Sequence, residues 1–185
     1  SRYDLLLGSG DSEKAAVHDS AAQGVANYLY AIEDDPLNPG WLAEERERCD
    51  QAIICHSSLK TRGDNLQPAG PDARQWKGWK QPLRSREQAV SPALTVSDIA
   101  YFNTYLLPQP DSGSCRKPVG IAARYALHYR SGDGEKGDFI GAGLLPAALA
   151  GRVVTEEGAI VPFCIGCEVQ GPPGKITQPA AGVVT

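Results

Sequence analysis

Along the first third of the chain, apolar residues recur at steps of three and four. Val17, Ala21, Val25, Tyr28, Leu29 and Ile32 share one face of a helical period, which predicts a helix over 12–32. Asp11 or Ser12 would cap it, Glu13 suits the positive end of its dipole, and Asp34-Asp35-Pro36 would stop it. Pro39-Gly40 introduces a second expected helix, from about 41 to 59. There Leu42, Cys49, Ala52, Ile53 and His56 fall together, while Glu44, Glu45, Arg46, Glu47 and Arg48 face solvent. With so short a link, the two should form an antiparallel helical hairpin. A third helix is expected over 97–107, capped by Ser97, lined by Ile99, Phe102 and Leu106, and ended before Pro108.

Residues 61–96 carry Pro68, Pro71, Pro82 and Pro92 and almost no periodicity, so they read as a long loop. From Val119 the period changes to two. Val119, Ile121, Ala123, Tyr125, Leu127 and Tyr129 alternate with Gly120, Ala122, Arg124, Ala126, His128 and Arg130, the pattern of a strand. Ser131-Gly132-Asp133-Gly134 supplies a tight turn, and a second strand follows through Asp138-Phe139-Ile140. A hairpin is expected from 152–155 and 159–161 around Glu156-Glu157-Gly158, then a strand at about 163–169, with Pro162 at an edge or bulge. The expected fold class is therefore α+β. One domain spans 1–169, mainly helical over 1–107 and mainly β over 118–169, and 170–185, with Pro172, Pro173 and Pro179, forms an extended C-terminal arm.

Composition adds bounds. The chain of 185 residues, 42% hydrophobic and 22% charged, is long enough to build a core without a metal or a disulfide. Its 20 glycines and 14 prolines exceed the roughly 12% typical share, which places the excess in turns and loops. No apolar run approaches the ~20 residues that cross a bilayer, so a soluble protein without a membrane partner is expected. Ser1 could follow a removed Met or a cleaved leader, which leaves the compartment open, cytoplasm or the inside of an assembled particle included. The net charge of −4 disfavours bulk nucleic-acid binding but hides an asymmetry. Residues 1–50 hold eleven acids against four bases, and residues 60–90 seven bases against three acids.

The five cysteines, Cys49, Cys55, Cys115, Cys164 and Cys167, are an odd number that reads as reduced thiols. Cys164-Ile165-Gly166-Cys167 has the spacing of half a zinc site or of a redox pair. Its strand-like setting favours buried structural thiols, and completing a metal site would require Cys49, Cys55 or His56 to approach. Cys55 and His56, adjacent on a helix, would point about 100° apart and could not act as a dyad. Ser57 and Lys60 match an S-x-x-K string, but its companion motifs are absent. His18, His56 and His128 show no ligand spacing, and Asp133, Glu135, Asp138, Glu156 and Glu157 read as turn acids. Gly8-Ser9-Gly10 and Gly132-Asp133-Gly134 lack the rest of a phosphate cradle, and Arg62-Gly63-Asp64 is too short a string to carry weight. No catalytic residue, metal ligand or cofactor is assigned.

The most distinctive stretch is 74–86, where Arg74, Trp76, Lys77, Trp79, Lys80, Arg84 and Arg86 interleave bases with two of the three tryptophans. Tryptophan and arginine are enriched at interface hot spots, so this segment is read as a partner-binding loop. The expected function is a non-enzymatic structural subunit of a larger assembly, a virus or phage particle component, whose arms contact protein subunits of its own or another kind. Two alternatives stand beside it. One is a small enzyme or metal-binding protein built on Cys164 and Cys167 with Cys49, Cys55 or His56. The other is a single-stranded nucleic-acid module using 74–86, with bases stacked on the tryptophans.

Overall fold

The computed structural model describes residues 2–11, 25–62, 76–107 and 119–167. Its described residues are mostly β-sheet, in three sheets, which overturns the α+β expectation with its helical hairpin. The first sheet has the order β1 (Tyr3–Gly8), β2 (Tyr28–Asp34), β4 (Gly78–Pro82), β3 (Lys60–Thr61). Its neighbours run antiparallel except β3 and β4, which are parallel. The second sheet runs β5 (Glu87–Ala89), β7 (Ile99–Leu106), β8 (Ile121–His128), β9 (Gly134–Ala142), with β6 (Leu94–Val96) also paired to β7. β10 (Leu149–Val154) and β11 (Ile160–Ile165) form a separate antiparallel hairpin.

The first two sheets pack face to face. Leu29 and Ala31 of β2 and Trp79 of β4 meet Ala89, Ala100, Phe102, Tyr125 and Leu127 from the second sheet, all buried. Burial at this scale is the main favourable term of the fold. Trp79 and Phe102 meet edge to face with centroids 6.3 Å apart, and Trp79 Nε1 donates to Tyr129 O at 2.8 Å, so the indole joins the sheets by both its ring and its polar tip. Gly132, at φ +73°, lies against that indole, where a side chain would press on the ring at 3.0 Å.

The outward faces are covered too. Residues 41–58 lie across the first sheet, where the His56 ring packs edge-on against Tyr28 and Tyr30, and Lys77 Nζ sits 3.7 Å over the buried Trp41 ring. On the second sheet, Asn103 Nδ2 donates to Pro146 O at 2.8 Å, which ties the segment before β10 across β7.

This double coverage explains the misread helices. A strand buried on both faces reads as a continuous apolar run, and such a run satisfies the helical template as well as the extended one. Tyr28–Asp34 and Ile99–Leu106, rich in aromatic and β-branched residues, are strands, while residues 12–24 lie outside the described part. Ser97 does not cap a helix. Ser97 and Asp98, at φ 48° and 68°, make the two-residue turn that joins β6 to β7. Of the expected helix over 41–59, Glu45–Cys49 alone is α-helical; Asp50, at φ 61°, ends it, and a 3₁₀ turn follows at His56–Ser58. The supposed loop 61–96 holds β4, β5 and β6 among its described residues. The alternation over 119–130 is β8, and β11 runs on to Ile165 rather than leaving a separate strand at 163–169. The arm 170–185 lies outside the described residues.

Candidate functional site

The interleaved segment 74–86 is largely drawn into the body. Arg74 lies outside the described residues. Lys77 is buried over Trp41, Trp79 is in the core, and Trp76 is half-buried with the Arg48 guanidinium 5.3 Å over its ring. Lys80 is buried with Nζ 2.9 Å from His56 Nδ1 and 2.6 Å from His56 O. Lysine only donates, so the imidazole nitrogen accepts, and burial followed by the Lys80 charge pushes the His56 pKa down. Arg84 is exposed, reaching Gly137 O at 2.7 Å, and lines with Arg86 an open cleft of about 420 Å³ whose apolar residues are Leu106, Leu107, Val119 and Ile121.

The cysteines differ from expectation. Cys49 and Cys55 close a disulfide with Cα atoms 5.9 Å apart, and Cys164 and Cys167 close another at 5.7 Å. The first lies on the outer side of the first sheet. The second lies by the outer side of the second, where Gly166 nears the Arg124 guanidinium. The two pairs are therefore not brought together. Cys115 and His18 lie outside the described residues, which contain no group of three or more metal-type ligands. Ser57 and Lys60 sit in the 3₁₀ turn and in β3, not on one helix, and His128 stacks on Tyr129.

Sequence reasoning missed two buried carboxylates. Glu87 accepts from Thr104 Oγ1 at 2.5 Å, from Tyr125 Oη at 3.0 and 3.1 Å, and from Arg84 N at 3.0 Å. Burial, and then the Glu87 charge, push the Tyr125 pKa far above its ordinary value, so the phenol stays neutral and donates. Glu45 is also fully buried, held by Arg48 Nη1 at 3.1 Å and Ser58 Oγ at 2.5 Å. It belongs to the run 44–48 that the pattern assigned to solvent, and nothing in that run singles it out.

The hairpin carries an exposed apolar face. Its register pairs Leu149 with Ile165, Gly151 with Phe163 and Val153 with Val161, so these six share one face that bears no polar side chain. Leu149 is 60% exposed, Val153 52% and Ile165 63%. The Phe163 ring covers Gly151, leaving no room there for a Cβ. The opposite face is open as well, with Val154 68% and Ile160 63% exposed, and the hairpin borders Thr95 and Val96 of β6 through Ala150, Gly151, Arg152 and Ile160.

Comparison with family models, with curated proteins and with solved structures found no match. Among the described residues, no helix is long and apolar enough to cross a membrane.

Proposed function

We propose that this chain is a non-enzymatic assembly subunit that pairs with a second copy of itself through the β10–β11 hairpin. The supporting observation is the apolar ladder of Leu149, Gly151, Val153, Val161, Phe163 and Ile165. A two-stranded hairpin is marginal in water by itself and is stabilised when an apolar face packs against another surface. No charge on that face selects a charged partner. Isologous pairing would set this same face of a second copy against it.

Six residues of strand span about 20 Å and two strands about 10 Å, so the face offers about 200 Å² per copy. A stable interface takes about 800 Å² per partner, so the pairing on this face alone is weak and concentration-dependent. Two closed disulfides suit a subunit that works in oxidising surroundings.

Light scattering from about 10 µM to about 1 mM tests the reading, a range set by the weak affinity of a small interface. The mass should rise toward that of a dimer, and Val153→Lys with Ile165→Lys should hold it at one chain. A wild-type mass of one chain throughout overturns the proposal.

A further inference from the structure

We infer that Cys49–Cys55 is a redox-active disulfide, a site of thiol–disulfide exchange with dithiols in which Cys55 is the attacked sulfur and Glu45 the proton carrier of Cys49. The inference is independent of the hairpin and rests on how the two sulfurs are housed. Both cysteines are half-buried, and both sulfurs lie near the buried Ser58 Oγ, Cys49 Sγ at 3.2 Å and Cys55 Sγ at 3.6 Å. Their other neighbours separate them: Cys55 Sγ lies 3.0 Å from Oγ of the exposed Ser57, and Cys49 Sγ 3.6 Å from Oε2 of the fully buried Glu45.

A disulfide sulfur carries no hydrogen and donates nothing. In the closed form, therefore, the Glu45 carboxylate faces a sulfur that cannot satisfy it. Once the bond is opened, Cys49 has an S–H that donates to Glu45 Oε2. A buried carboxylate is costly to hold and is here partnered by Arg48 and Ser58, so its third contact makes chemical sense in the reduced state. Cys164–Cys167 lacks such an arrangement among the described residues, where Cys164 Sγ meets the carbonyl of Ile165 at 3.8 Å.

One thiolate of a dithiol attacks Cys55 Sγ, the Cys55–Cys49 bond breaks, and its electron pair goes to Cys49 Sγ. The proton lost by the dithiol passes by way of the Ser58 hydroxyl, 3.6 Å from Cys55 Sγ and 2.5 Å from Glu45 Oε2, to Glu45 and from there to Cys49. The second thiol of the same reagent, deprotonated, then attacks the mixed disulfide, leaves as an internal disulfide, and frees Cys55, which water protonates. The dithiol is oxidised by two electrons and the cysteine pair reduced by two. In the reverse direction Glu45 Oε2 takes the Cys49 proton, and the thiolate closes on Cys55 Sγ, expelling a thiolate.

The test uses the full chain with dithiothreitol as the reducing probe and oxidised glutathione as the oxidising one, each cysteine read by alkylation and peptide mass. Under native conditions Cys49–Cys55 should open about ten-fold or more faster than Cys164–Cys167, with the circular dichroism of the fold retained. Reclosure should pass through glutathione on Cys55. Glu45→Gln should slow reclosure about ten-fold or more and flatten its pH–rate profile, and Glu45→Asp should recover part of both. Opening only on unfolding, or a Glu45→Gln rate and pH profile equal to wild type, overturns the assignment. Should Glu45→Gln fail to fold, the wild-type trap decides: glutathione on Cys55 supports the site, and glutathione on Cys49 or on neither refutes it.

Discussion

Phe102 and Phe163 are the same residue on the same kind of element, and their surroundings divide the molecule in two. Phe102, 1% exposed, lies between two sheets against Trp79. Phe163, 38% exposed, lies over Gly151 on a hairpin whose two faces are both open. β7 is laddered on both edges, by β8 and by β5 and β6, whereas β11 pairs with β10 alone, so hydrogen bonding and burial divide the two in the same direction. Burial is the larger part. Net hydrogen-bond gains are modest, whereas apolar area removed from water contributes about 25 cal/mol per Å², so stability resides in the sandwich and the hairpin is left at the low-stability end. A surface that must meet another chain is drawn from that end.

The largest expected effect breaks this contrast if it fails. Phe102→Ala should cost about 3–5 kcal/mol, since it opens a cavity between packed sheets that cannot close on each other. A urea midpoint that moves by less than about 1 kcal/mol equivalent would mean that the sheets do not share a core. Tyr125→Phe comes next, at about 1–3 kcal/mol, because it takes from buried Glu87 a donor that nothing replaces. The same residue sets an alkaline limit. Its folded pKa is raised by burial and by Glu87, so the stability it contributes is complete below the unfolded phenol value of about 10 and is lost as pH rises toward the folded value. Denaturant midpoints from pH 7 upward should fall beyond that value, and Tyr125→Phe should reduce the slope. Tyr30 and Tyr101, raised mainly by burial, would leave a remainder.

What the residues disclosed follows the same division. Where one face of a strand carries small or polar residues, alternation is legible even under cover: Ile121–His128, with Ala122, Arg124 and Ala126 on one face and Ala123, Tyr125 and Leu127 on the other, is located by its period of two. Where both faces carry large apolar residues, as at Tyr28–Asp34 and Ile99–Leu106, the run loses its period and fits a helix. Local sequence carries no mark of what will be laid across a strand. The site suffered in the same way. Glu45 and Glu87 look like surface acids by type and neighbours, and only the meeting of distant segments, Ser58 over Glu45, Thr104 and Tyr125 over Glu87, makes them buried. The tryptophans of 74–86 were conspicuous by composition, yet β4 runs through the segment and turns Trp79 inward. The disulfides escaped notice because an odd cysteine count argued for free thiols.

The smallest expected effect sharpens the contrast most. In dilute solution, where one copy meets no other, Phe163→Ala should cost under about 1 kcal/mol, because a partly exposed ring loses little contact and leaves no sealed cavity. The denaturant slope should not change, since the sandwich supplies nearly all of the surface exposed on unfolding. Hydrogen exchange should also place the β10–β11 amides well below those of β7 and β8 in protection. Raising the concentration of the wild-type chain should then stabilise it by mass action while leaving Phe163→Ala behind, so that the cost of the substitution grows with concentration. A cost that is already several kcal/mol in dilute solution would place Phe163 in a core of its own chain. The difference between the two phenylalanines, and with it the reason to assign the hairpin to a second copy, would then be gone.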